Sequence, residues 1–282
     1  MTQPTQRLDL SLTANSISPK WDSLYPAGNR PTGTLIASAN FTDGSTQPSS
    51  IYTGANWSSF NHYGAATVTI DTAGGNNSIK GICPATDGIT DGCVLGLDIP
   101  SLNLSEVYIQ FRAKFRGTPH AIKFCKVHGQ ASGGQANCTF GLSGGGAMTQ
   151  TSFGDGSGTG NDTAQVINLS GVSHQLGRNS GAGVLTPQNS PFTQGMWGND
   201  VWHNFKVHVK FNSGTSALNE VANGLFYVEI DGLVYVNATG LFNRHYSNLP
   251  IDYISFFDVA QDNDYGYELL YDDIKVSTGG FV

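Results

Sequence analysis

The dipeptide Asp231-Gly232, set between two short alternating runs, constrains this chain more than any other feature. Upstream reads Leu225-Phe-Tyr-Val-Glu-Ile230, and downstream Leu233-Val-Tyr-Val236 resumes the pattern. Period-two alternation puts successive side chains on opposite faces of a strand, and Asp-Gly supplies the positive backbone angles of a tight hairpin turn. Before the hairpin, Trp202-His-Asn-Phe-Lys-Val-His-Val-Lys-Phe211 sets Phe205, Val207, Val209 and Phe211 against Lys206, His208 and Lys210. Segments 251–259 and 269–276 complete the pattern. The C-terminal third is therefore expected to be sheet, with one face in a core and Lys206, His208, Lys210, Tyr227 and Glu229 on the other.

The rest of the chain follows the same rule. Segments 35–41, 66–70, 78–82 and 93–99 read as strands. Val107-Tyr-Ile-Gln-Phe-Arg-Ala-Lys-Phe115 is the cleanest, with Tyr108, Gln110, Arg112 and Lys114 opposite an apolar face. Segment 122–128 follows, carrying Lys126 and His128 on one side. No helix is expected. The abundance of glycine (36 residues) and scarcity of charge (12%) fit a turn-rich β-sandwich.

Residues 1–33 are polar and interrupted by Pro4, Pro19, Pro26 and Pro31, so they are expected to form an extended N-terminal arm. Residues 34–282 form one sandwich, in which 141–200 is a long Gly/Ser-rich excursion, too long for an ordinary loop. A net charge of −7 gives no sign of a nucleic-acid partner. No apolar run approaches a membrane span, and Met1-Thr-Gln-Pro-Thr-Gln lacks the basic and apolar regions of a secretory signal. The four cysteines fall as local pairs, Cys83 with Cys93 and Cys125 with Cys138, either bridging short loops or buried as thiols.

Half of the fourteen basic residues lie in or beside the best strands: Arg112, Lys114, Arg116, Lys123, Lys126, Lys206 and Lys210. If those strands are neighbours they make a positive patch suited to an anionic glycan. The ordinary alternative is solvent-facing charge that discourages edge pairing. The expected ligand-facing residues are Gln110, Arg112, Lys114, Lys126, His128, Lys206 and His208. If the chain is an enzyme, His128 or His208 would take a proton, Tyr227 or Tyr235 would return it, and Arg112 with Gln110 would hold a uronate carboxylate. Glu229 and Asp231 could pair as glycosidase carboxylates, but Asp231 already has a turn role. Asp272-Asp273 is an oxygen-rich candidate for Ca2+, as is the run from Asp155 to Asp162, although it lacks the closing Glu of a calcium loop. Gly141-Leu-Ser-Gly-Gly145 matches a nucleophile elbow only by chance, since no helix follows it.

Trp202-His-Asn-Phe-Lys-Val-His-Val-Lys-Phe, Gly224-Leu-Phe-Tyr-Val-Glu-Ile-Asp-Gly, Ile254-Ser-Phe-Phe and Leu270-Tyr-Asp-Asp-Ile-Lys-Val resemble the concanavalin A-like jelly-roll sandwiches, the laminin G and polysaccharide lyase-like group. Tyr108-Ile-Gln-Phe-Arg-Ala-Lys-Phe resembles their central concave strand. The resemblance spans roughly 34–278 and implies two antiparallel sheets, the concave one holding a saccharide. The alginate-lyase branch shows Arg-x-Glu-x-Arg, Gln-Ile-His and Tyr-x-Lys-x-Gly-x-Tyr. Here the corresponding stretches read Gln110-Phe-Arg-Ala-Lys114 and Lys126-Val-His128, and a tyrosine strand is not recognisable. The Glu-x-Asp-x-x-Glu motif of laminarinase-type hydrolases is absent.

Sandwiches of this kind also resemble domains on phage particles. The expectation is an all-β, two-sheet antiparallel jelly roll acting as a non-catalytic phage virion protein, a capsid decoration or head fibre. Its partners would be a capsid or other virion protein, a surface glycan, and further copies of itself as a homo-oligomer. The alternative is an extracellular polysaccharide lyase cleaving an anionic glycan by β-elimination.

Overall fold

The computed structural model describes residues 32–282 except 47, 49–53, 59–60, 74, 76, 85–91, 118–121, 132–133, 144–147, 155–163, 169–199, 215–218, 220, 242, 245–248 and 261–265. The arm to residue 31 and the run from Asp155 to Asp162 lie outside the described residues.

Sixteen strands follow in chain order among the described residues. They are β1 (Thr34–Ala39), β2 (Asn56–Trp57), β3 (Asn61–Tyr63), β4 (Thr67–Asp71), β5 (Ser78–Cys83), β6 (Gly92–Asp98), β7 (Glu106–Gly117) and β8 (Ile122–Ala131). The second half adds β9 (Gly134–Ser143), β10 (Met148–Gly154), β11 (Ala164–Asn168), β12 (His203–Lys210), β13 (Gly224–Ile230), β14 (Leu233–Leu241), β15 (Tyr253–Ala260) and β16 (Tyr267–Thr278). One 3-10 turn, Pro100–Leu102, separates β6 from β7.

They form two antiparallel sheets packed as a sandwich. The front sheet runs β14-β13-β12-β7-β16-β5-β4, with β1 also on β16. The back sheet runs β11-β10-β9-β8-β15-β6-β2, with β3 also on β6. The jelly-roll expectation holds, and so does the hairpin: Asp231 and Gly232 have φ of 50° and 80°, so both central residues of the two-residue loop carry positive φ. Segment 141–200 contributes β10 and β11 to the back sheet.

Alternation fills the core as the sequence implies. On β7, Val107, Ile109, Phe111, Ala113 and Phe115 are at most 2% exposed. Phe111 stacks on Phe205 at 4.7 Å and Tyr271 at 5.2 Å within the front sheet, and meets Phe256 of the back sheet edge-on at 5.6 Å. All four cysteines are buried thiols. Burial first, then the neighbouring Cys138, pushes the Cys125 thiol up, and burial pushes Cys138 up to about 12.

Two devices lock the front sheet. Asn212 and Asn243, both fully buried, exchange backbone-to-side-chain bonds of 2.9 Å in each direction. Asn212 Oδ1 also accepts from the Arg244 N–H at 2.7 Å. At the hairpin tip, Asp231 accepts from His203 Nδ1 at 2.6 Å and from the Asn204 N–H at 2.8 Å, tying the turn to β12. Burial alone would raise the Asp231 carboxyl, but those donors outweigh it and hold it below its usual range.

Candidate functional site

Parity decides which side chains can meet. Because Phe111 of β7 faces the core, Gln110, Arg112, Lys114 and Arg116 point outward from the front sheet. Register then places Lys206 opposite Gln110, His208 opposite Tyr108, and Tyr227 opposite His208. On β8, Cys125 and Val127 pair with Phe256 and Ile254 of the core, so Lys126 and His128 point outward from the back sheet. The seven expected ligand-facing residues thus divide. Gln110, Arg112, Lys114, Lys206 and His208 share one surface with Tyr227, while Lys126 and His128 lie on the opposite side of the sandwich.

The front face is a charge network. At a bulge in β16 the register passes from Asp272 opposite Arg112 to Lys275 opposite Gln110, with Asp273 at φ 49°. The extra residue turns two successive aspartates onto one guanidinium, which regular alternation forbids. Arg112 lies 2.6 Å from Asp272 and 2.8 Å from Asp273. The Asp272–Asp273 pair, the calcium candidate, is thereby turned onto a cation. Among the described residues, no group of three or more His, Cys, Asp or Glu side chains could hold a metal ion. Lys114 reaches Asp200 at 3.1 Å, and Arg116 reaches Asp200 at 2.7 Å and Glu268 at 3.0 Å. Lys206 pairs with Glu229 at 3.1 Å. The expected positive patch is thus divided: Arg112, Lys114, Arg116 and Lys206 form a row of cations on the front sheet, each matched by a carboxylate, while Lys123 and Lys126 belong to β8 of the back sheet.

The front-face acid–base candidates are committed elsewhere. His208 is 2% exposed, stacked 4.0 Å from Tyr108, with Nε2 2.7 Å from Glu106 Oε1. That contact is the main reason the Glu106 carboxyl sits below its usual range; burial opposes it. Tyr227 is 1% exposed and donates to Glu229 at 2.7 Å, while burial and then that carboxylate push its hydroxyl pKa up. The side chain of Tyr235 lies outside the described residues.

Between these pairs lies an open cleft of about 430 Å³, lined by Gln110, Arg112, Asn204, Lys206, Asp273 and Lys275. The Trp202 ring lies beside it, 5.2 Å from both the Arg112 guanidinium and the Lys114 ammonium. The C-terminal residues cross one end: Phe281 meets Tyr108 edge-on at 5.2 Å, and the Val282 N–H donates to Gln110 Oε1 at 2.8 Å.

The back face holds a second cavity of about 390 Å³, lined by Asp98, Pro100, His128, Asp252 and Tyr253. Register sets Asp98, Tyr253 and His128 in one row across β6, β15 and β8. The His128 and Tyr253 rings lie 4.7 Å apart at 69°. The Asp98 carboxyl is held above its usual range, first by burial and second by the Asp252 charge. Gly96 makes room for the tyrosine: a Cβ there would lie 2.3 Å from the Tyr253 hydroxyl. Sequence reasoning found His128 but missed Asp98, Asp252 and Tyr253, which stand at strand ends with no local pattern to mark them.

The architecture is a two-sheet antiparallel jelly roll. An endo-β-1,4-glucuronan lyase of the fungus Trichoderma reesei has this fold at TM-score 0.50 and 11% identity, over 79% of this chain and 91% of that one. The alginate lyase vAL-1 from Chlorella virus matches at TM-score 0.50 and 16% identity, over 86% of this chain and 99% of that one. The cellulose induced protein Cip1 matches at TM-score 0.51 and 14% identity, over 86% and 98%. At such identities the likeness concerns the fold alone. No family model matches the sequence, and no curated protein does.

Proposed function

We propose that this protein is a non-catalytic glycan-binding sandwich, displayed on a phage particle as a capsid decoration or head fibre. The carrying observation is the division of the elimination candidates. Arg112 and Gln110 lie on the front face, where His208 and Tyr227 are 2% and 1% exposed and already bonded to carboxylates. His128, the remaining base, lies on the back sheet. A β-eliminating centre needs its base and its carboxylate-neutralising group around one sugar. The front cleft, with paired charges and the Trp202 ring, suits a saccharide held by hydrogen bonds and stacking. In this reading the arm at 1–33 contacts a capsid or other virion protein, and the chain works as a homo-oligomer.

Protein analysis of purified intact particles tests the display: the chain is expected among their components, and its absence ends that part of the reading. Incubation with a panel of polyuronates is expected to give no rise in ultraviolet absorbance.

The second reading, a polysaccharide lyase, draws on the His128–Tyr253 pair beside the back cavity. It predicts growing absorbance from the conjugated product, abolished in His128→Ala.

A further inference from the structure

The back cavity has a chemistry that the front cleft lacks. Its two carboxylates, Asp98 and Asp252, accept hydrogen bonds and donate none when ionised. They are close enough for the Asp252 charge to bear on Asp98. The two rings, His128 and Tyr253, meet at 69° and form a corner rather than a flat stack. Pro100 adds an apolar wall. Tyr253 is fixed by the bare backbone of Gly96, whose N–H donates to Ser58 Oγ at 3.0 Å.

We propose that Asp98, Asp252, Tyr253 and His128 form a second sugar site, on the back sheet, that takes a neutral pyranose and rejects acidic sugars. The proposal rests on the glycan-binding reading but not on the front cleft. A pyranose presents adjacent hydroxyl donors, which match a pair of acceptor-only carboxylates, and apolar C–H faces, which match an aromatic corner. A uronate or sulfate would bring a third anion beside two carboxylates with no hydrogen to give them. The titratable groups lining the cavity are Asp98 of β6, His128 of β8 and Asp252 before β15; Lys126, on the same outward face of β8, stands one row away, opposite Ser255. Arg112, the cation expected to neutralise a uronate, belongs to the other sheet.

The volume fits the assignment. About 390 Å³ lies near the lower end of small-ligand pockets, enough for one or two sugar rings.

The test uses the full chain and isothermal titration against neutral gluco-, manno- and galacto-oligosaccharides and matched oligouronates. At least one neutral oligosaccharide is expected to bind, at least tenfold more weakly in Asp98→Ala and in Tyr253→Ala. A circular dichroism spectrum matching the parent shows that each variant is folded. Neutral-sugar binding unchanged in Asp98→Ala overturns the proposal, and so does oligouronate binding that Asp98→Ala abolishes. Failure of the wider reading looks different: neither sugar class binds at all. Lys206→Ala reports on the front cleft separately.

Discussion

Single atoms decide how the back pocket is held. A methyl group at Gly96 would collide with the Tyr253 hydroxyl and approach Ser58 Oγ at 2.8 Å, so Gly96→Ala must swing the tyrosine out of its row. That variant is expected to keep its fold and lose about tenfold in neutral-sugar affinity, a change of about 1.4 kcal/mol, measurable by titration calorimetry. Asp98 gives a pH signature. Its carboxyl is raised in the fold, so its contribution to stability is fully present below the unfolded value of about 3.9 and is lost as pH rises through the folded value. Asp98→Asn should therefore melt slightly above the parent at neutral pH, and the gap should close below about pH 4. A gap that widens in acid contradicts the assignment. Asp231 has the opposite sign, since its carboxyl is lowered by His203 and the Asn204 N–H despite burial. The stability it adds is present above its unfolded value and is lost as pH falls through the folded one. Urea midpoints of Asp231→Asn should therefore fall below the parent at pH 7 and converge with it in strong acid.

At the scale of elements, the asparagine exchange between the end of β12 and the segment after β14 is the most exposed to loss. Asn212→Ala leaves the Asn243 and Arg244 N–H groups without their acceptor in a fully buried setting. Its cost is expected to be about 2–3 kcal/mol, read as a lower urea midpoint with an unchanged slope. A cost under about 0.5 kcal/mol would mean that water replaces the amide. The hairpin of β13 and β14 was legible in the sequence because its signal is local, two residues between two alternating runs. The inward faces of β7 and β12 were legible for the same reason. Strand β10 was not, because Met148-Thr-Gln-Thr-Ser-Phe-Gly154 has no apolar alternation and relies on its neighbours β9 and β11. The partners of the cations were equally hidden. Arg112 meets Asp272 across 160 positions, and a bulge turns Asp273 onto the same side. Strand order has to be known before such pairs can be read.

The whole molecule separates what the sequence placed together. β7 and β8 are consecutive, yet they belong to different sheets, so Arg112 and His128 look away from each other across a core. Stacked sheets lie about 10 Å apart before side chains are added, which makes the two outward faces energetically independent surfaces. Losses from Lys206→Ala in the front cleft and Asp98→Ala in the back pocket should therefore add within about 0.5 kcal/mol in the double variant. A coupling well beyond that would point to one continuous ligand.

The two ends of the sandwich also meet. Phe281 lies against Tyr108 on the front surface, and its carbonyl accepts from the Gly33 N–H at 3.3 Å. Gly33 and Phe281 thus sit together beside β7 and β16, in the middle of the front sheet. A surface coupled through Val282, whose N–H lies on Gln110, would shadow the front cleft and leave the Tyr253 pocket facing the medium. Immobilisation through Val282 should mute the first surface and spare the second, so a chip coupled in that orientation isolates the back pocket without any substitution.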